Sequence, residues 1–104
     1  LGVLGHEPGV IDPKGRCFYY TKRGVFAISK PINGEACSGA NGGTIGFACD
    51  SLEQVKAFHD AGVANGGTTI EDAPGPRDST MGTLNLAYVL DPAGNKICAM
   101  HRAG

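Results

Sequence analysis

The sequence predicts an α+β protein built on a β-α-β-β-β unit. Three observations predict it. An alternating segment, Thr44 to Cys49, runs straight into a helix signature at Asp50-Ser51. An Asn65-Gly66-Gly67 stop ends that helix. Three β-prone segments separated by Gly- and Pro-containing turns then follow. Domains run to about 100–200 residues, so a chain of 104 residues makes one domain with one modest core.

The elements follow in chain order. Asp12-Pro13-Lys14-Gly15 is a turn, since Pro presets φ at the first central position and Gly permits positive φ at the end. Arg16 to Thr21 is aromatic and β-prone. Lys22-Arg23-Gly24 breaks it, and Val25 to Lys30 forms the second arm of an antiparallel hairpin. Residues 31–43 make a polar, Gly-rich connection. In the Thr44–Cys49 strand, Thr44, Gly46 and Ala48 share one face, and Ile45, Phe47 and Cys49 the other. The second face packs; the first is small enough to border a cavity.

Ser51 with Gln54 three residues later is a capping box. Leu52, Val55 and Phe58, with Ala61 or Gly62, form the apolar stripe of the helix. Gly66 supplies a left-handed stop. Thr68 to Glu71 is a short strand, residues 72–82 a loop, and Leu84 to Leu90 a strand. Asp91-Pro92-Ala93-Gly94 repeats the turn at Asp12, and Asn95 to His101 is the last strand.

Composition excludes several function classes. There are 9 Lys and Arg against 10 Asp and Glu, which leaves no basic footprint for nucleic acid and no polybasic membrane segment. No apolar run approaches the roughly 20 residues of a membrane span. The 4 cysteines form no close pair and no C-x-x-C, and read as free thiols of a reducing, cytoplasmic compartment.

Gly43 to Ala48, then Val55-Lys56-Ala57-Phe58-His59, Gly66-Gly67, Ala73 to Arg77 and Tyr88 to Ile97 together resemble the vicinal oxygen chelate superfamily. This superfamily holds glyoxalase I, bleomycin-resistance proteins and extradiol dioxygenases. The turn Asp91-Pro92-x-Gly94-Asn95 before an apolar strand is the most specific piece. The resemblance covers 43–101 well and 18–31 loosely. It implies βαβββ modules forming a curved mixed sheet around a cavity. Residues 43–104 are the second module, and 1–42 the remainder of a first module incomplete at its N-terminus. It also implies a homodimer, on the family's habit of pairing modules across chains and on the sheet edge left open.

Metal-using relatives carry ligands on the first and last strands of a module. The matching positions here hold Thr44 and Cys98, a poor ligand and one that binds only as a thiolate. We therefore expect no divalent metal and no cofactor. Cys98-x-x-His101 does not make a ligand pair, because residues three apart on a strand face opposite ways. His59 is expected on the outer flank of the helix.

If the turn pairs Leu90 with Asn95, then Asn85 and Ala87 share a face with Cys98 and Met100, while Leu84, Leu86 and Tyr88 pack on the helix. Cys98 is read chiefly as a small apolar filler, with a reactive thiol favoured by Lys96 as the competing reading. Arg77 has two even readings: a guanidinium aimed at a ligand carboxylate or phosphate, or a loop charge that is solvated or forms a salt bridge to Asp78 or Asp72. Glu71 and Asp72 fit a solvated edge. The aromatic strand from Phe18 to Tyr20 is equally consistent with core and with cavity lining.

The candidate ligand-binding set is thus Thr44, Gly46, Arg77, Asn85, Ala87, Cys98 and Met100. Two functions fit the resemblance. One is a metal-independent protein that binds a small organic molecule in a concave sheet. The other is a lyase, isomerase or dioxygenase-type enzyme drawing its catalytic groups from a missing N-terminal strand or from a partner chain.

Overall fold

The same short turn organises both halves of the protein. A computed structural model describes residues 1–22, 24–80 and 82–102. The chain forms two compact units, Leu1–Cys37 and Ser38–Gly104, and each is taken by itself.

In the first unit a 3-10 turn, Gly2–Leu4, precedes three strands: β1 (Val10–Ile11), β2 (Cys17–Thr21) and β3 (Gly24–Ile28). They make an antiparallel meander in the order β1-β2-β3. The β2–β3 hairpin has the expected register, with Thr21 opposite Gly24. Thr21 Oγ1 fastens its end, donating to the Gly24 carbonyl and accepting from the Gly24 amide. Arg23 lies outside the described residues. The short strand β1 was not expected. It forms because the Asp12 turn folds Val10 and Ile11 back onto Phe18 and Cys17. This unit has no α-helix among its described residues, and no described residue of the unit is buried. Its side chains pack on each other: Phe18 stacks on Tyr20, Tyr19 tilts against Phe26, and Arg16 lies 5.3 Å over the Phe18 ring.

The second unit holds the β-α-β-β-β order: β4 (Ile45–Ala48), α1 (Leu52–Ala64), β5 (Thr68–Ser79), β6 (Gly82–Leu90) and β7 (Lys96–Arg102). The sheet order is β4-β7-β6-β5. β4 runs parallel to β7, and the other pairs are antiparallel.

The helix ends are as expected. Ser51 Oγ accepts from the Gln54 amide at 3.1 Å, and Gln54 reaches back to the Asp50 amide at 2.6 Å. At the other end Gly66 has φ 100°, its amide donates to the Val63 carbonyl, and the Gly67 amide donates to the Gly62 carbonyl at 2.8 Å. This is a Schellman stop, which needs the left-handed residue glycine supplies.

The stripe of α1 packs as its spacing requires. Val55 is fully buried, and the Phe58 ring sits 5.6 Å from that of Phe47. Gly62 lets the helix approach β6: a Cβ there would stand 3.4 Å from Val89. The helix therefore covers the sheet face that carries Phe47 and Val89.

β5 departs from expectation. Residues 72–82 are not one loop, since Gly75 to Ser79 pair with Leu86 to Gly82. Pairing breaks between Ile70 and Gly75, so residues 71–74 bulge from the strand. Met81 lies outside the described residues. No helix among the described residues is long and apolar enough to cross a membrane.

Candidate functional site

The faces of the second sheet follow from its register. Cys98 pairs with Gly46 on one side and Tyr88 on the other. Met100 pairs with Ala48 and Leu86. Side chains in register across strands share a face, and alternate residues oppose it. Gly46, Ala48, Leu86, Tyr88, Cys98 and Met100 therefore lie together on the face turned away from α1.

Two expected members are not there. Asn85 pairs with His101, and Ala87 with Ala99, on the helix side. Asn85 is buried and its amide meets His101 Nδ1 at 3.0 Å; Ala87 is packed to 1% exposure. The expectation missed by one residue. Leu90 pairs with Lys96, not with Asn95. The Asp91 amide bonds the Asn95 carbonyl, and Gly94 takes φ 93°, so the turn is a three-residue loop with a left-handed glycine at its end. Because a one-residue shift exchanges the faces, Leu84, Leu86 and Tyr88 join Cys98 instead of packing on the helix.

Gly46 lies as expected, opposite Cys98, and a Cβ built on it would meet no atom within 4 Å. Thr44 is exposed and stands one residue before β4. Met100 is 38% exposed. Cys98 is buried, and burial pushes its thiol above the ordinary value despite the Tyr88 hydrogen bond and Lys96. Tyr88 is raised too, by burial first and then by Cys98. Both groups are neutral donors at neutral pH, which removes the thiolate reading of Cys98.

Arg77 turns its guanidinium to backbone carbonyls. Its guanidinium donates to the Asp72 and Ala73 carbonyls at 3.1 Å and to that of Gly75 at 3.0 Å, with a longer contact to Pro76. The Asp72 and Ala73 carbonyls lie where β5 bulges out of register with β6. Arg77 satisfies them and clamps the bulge shut.

Two residues of this face carry chemistry that alternation alone did not reveal. Lys96 Nζ lies 4.6 Å over the Tyr88 ring and forms an ion pair with Glu71 at 2.5 Å. Glu71 stands in the bulge with φ 59°, the one described residue other than glycine with a positive φ. The only signal in the sequence was the loop-like composition after Glu71, which said nothing of where its carboxylate would go.

His59 is on the flank of α1 but not free. Its Nε2 meets Thr69 Oγ1 at 2.9 Å and its Nδ1 meets Asp60 at 3.1 Å, tying the helix to β5.

A hydroxyl at Thr44 and a protonated, buried thiol at Cys98 form a poor donor set for a divalent ion. Among the described residues no group of three or more His, Cys, Asp or Glu is placed to hold one. The residues of this face do not fit the metal that the resemblance implies.

A glyoxalase/bleomycin resistance protein from Albidiferax ferrireducens T118 has a structure similar to this one, with a TM-score of 0.93 and 56% identity over 98% of this chain and 82% of its own. The chain belongs to the glyoxalase/bleomycin resistance protein family. More distant structures share the fold. A glyoxalase/bleomycin resistance protein/dioxygenase family enzyme from Burkholderia phytofirmans PsJN is 17% identical, with a TM-score of 0.67 over 95% of this chain and 81% of its own. A glyoxalase-related enzyme from Fulvimarina pelagi is 20% identical, also with a TM-score of 0.67, over 94% of this chain and 71% of its own. No protein-family model and no curated protein matches the sequence.

Proposed function

We propose that this glyoxalase/bleomycin resistance family protein binds a small organic molecule against the helix-free face of the β4–β7 sheet, without a divalent metal. The observation that carries the reading is the composition of that face. Leu86, Tyr88, Cys98 and Met100 offer apolar and polarisable surface, and the space over Gly46 leaves room beside them.

The test is a thermal-shift screen with small aromatic and thioether compounds, run beside a titration with Ni²⁺ and Zn²⁺. Concentration-dependent stabilisation by an organic compound, abolished in Gly46→Phe, supports the reading. A flat screen overturns the ligand site, and stoichiometric tight metal binding overturns its metal independence.

We further propose that the protein acts as a homodimer. Val10, Tyr20 and Val25 are each more than half exposed and lie on one side of the first sheet by register, which supports an apolar contact surface. Sedimentation that gives a monomer at every concentration would refute this.

A further inference from the structure

We propose that Lys96 recognises a carboxylate on the bound organic molecule, and that Glu71 holds the carboxylate's place until the ligand arrives. The inference rests on the binding reading above and adds to it the charge of the ligand.

Four observations meet at this point. First, Lys96 is an ammonium beside the soft surface of Leu86, Tyr88 and Met100. It is held in place by the Tyr88 ring beneath it, at 4.6 Å. A cation over an aromatic ring is fixed in position without losing its charge or its donors. Second, the group it now binds is a carboxylate of the protein itself, Glu71 Oε2 at 2.5 Å. Third, Glu71 reaches Lys96 from a left-handed backbone conformation at φ 59°. That conformation is unfavourable for a residue with a Cβ, and strain of this kind persists where the surroundings impose it. The pair is therefore made at a cost to the backbone. Fourth, the pair is within reach of solvent: the side chains of Lys96 and Glu71 are 34% and 47% exposed. A ligand carboxylate can exchange with Glu71 without opening the core.

The other cation beside the bulge cannot take this role. Arg77 has its guanidinium committed to the carbonyls of Asp72, Ala73 and Gly75. Arg77 bonds the carbonyls of the bulge, while the Glu71 carboxylate bonds only Lys96 among the described residues. The ligand class this selects is a small monocarboxylate with an apolar body, the body lying toward Leu86 and Met100.

The experiment compares benzoate and phenylacetate with benzamide and phenylacetamide by calorimetry, on the unsubstituted protein and on Lys96→Met, Lys96→Arg and Glu71→Gln. The acids are expected to bind more tightly than the amides. Lys96→Met weakens the acids by about tenfold or more, the worth of a charge-assisted contact, and leaves the amides unchanged. Lys96→Arg retains binding of the acids. Glu71→Gln strengthens the acids by about two- to fivefold, because the competing exposed ion pair is gone. A gain of affinity cannot come from a damaged fold. Acids and amides that bind equally, with Lys96→Met harmless, would overturn carboxylate recognition and leave the binding reading intact. Weaker binding of acids in Glu71→Gln would overturn the place-holding role. If no aromatic compound binds the unsubstituted protein, charged or neutral, the binding reading itself fails.

Discussion

The turns at Asp12–Arg16 and Asp91–Asn95 are built alike and live in different surroundings. In each, the aspartate amide bonds the carbonyl four residues on, and its carbonyl accepts from the left-handed glycine. In each, Oδ1 accepts two further backbone amides: Lys14 and Arg16 in the first, Ala93 and Asn95 in the second. They part at the fifth residue. Asp12 meets the Arg16 guanidinium at 2.6 Å; Asp91 meets the neutral Asn95 amide at 2.9 Å. They part again in what stands behind them. Gly15 has no neighbour within 4 Å of a built Cβ, whereas the backbone of Gly39 lies against that of Gly94. Turn geometry is thus a local product of Asp-Pro-x-Gly, while its energetic weight depends on what backs it.

Gly39→Ala should break the comparison most. Its Cβ would run into the Gly94 carbonyl, which is backbone and cannot rotate aside. A loss of about 1–3 kcal/mol, the usual cost of overpacking, is expected by urea denaturation. Gly15→Ala meets only the left-handed penalty of roughly 1 kcal/mol. Equal losses would mean that the second turn gains nothing from its backing.

Next comes Asp91→Ala, which removes three accepted hydrogen bonds from a half-buried turn. We expect about 1–2 kcal/mol. Asp91→Asn should recover most of this, because its partners are neutral.

Alkaline pH should also weigh on the second sheet. Cys98 and Tyr88 both have raised pKa values, so the folded state holds these protons more tightly than the unfolded chain does. Their contribution is whole below the ordinary values of 9.0 and 10.0 and is lost as pH rises through the folded values. Cys98→Ala with Tyr88→Phe should make the alkaline limb of Tm against pH shallower, with Cys49 and Tyr19 supplying the remainder, and leave the acid limb alone.

The smallest effect belongs to Asp12→Asn. The Arg16 guanidinium holds the Asp12 carboxyl below its ordinary 3.8, so this stabilisation is present above that value and is lost as pH falls through the folded one. Asp12→Asn should remove that acid-side slope, and the difference from the parent should shrink in 0.5 M salt, as screening of an exposed pair requires (a Debye length of about 4 Å at that strength).

The elements that local chemistry decides were legible in the sequence. Ser51 and Gln54 placed the start of α1, Gly66 its end, and the stripe of Val55 and Phe58 the side that packs. Alternation in β4 correctly put Gly46 and Cys98 on one face. What failed was counting across a turn. The left-handed Gly94 adds one residue to the loop, and a one-residue error moved Asn85 and Ala87 to the wrong side and hid Tyr88. The bulge after Ile70 was illegible for a different reason. Asp72 to Pro76 carries no pattern of its own, and the bulge exists because Arg77, further along the chain, satisfies its carbonyls. Side chain-to-backbone contacts of that kind, two to five residues apart, leave no periodic trace.

The parallel pairing of β4 with β7 also has a bearing on biosynthesis. Residues 45–48 find their hydrogen-bonded neighbour only at residues 97–100. A ribosome has made the helix, β5 and β6 long before that neighbour emerges. Until then β4 must wait as an unpaired strand, and closing so long a loop is the slow, entropically unfavourable step of such topologies. Nascent chains stalled before residue 97 should stay vulnerable to proteases around Gly46, and those released a few residues later should not.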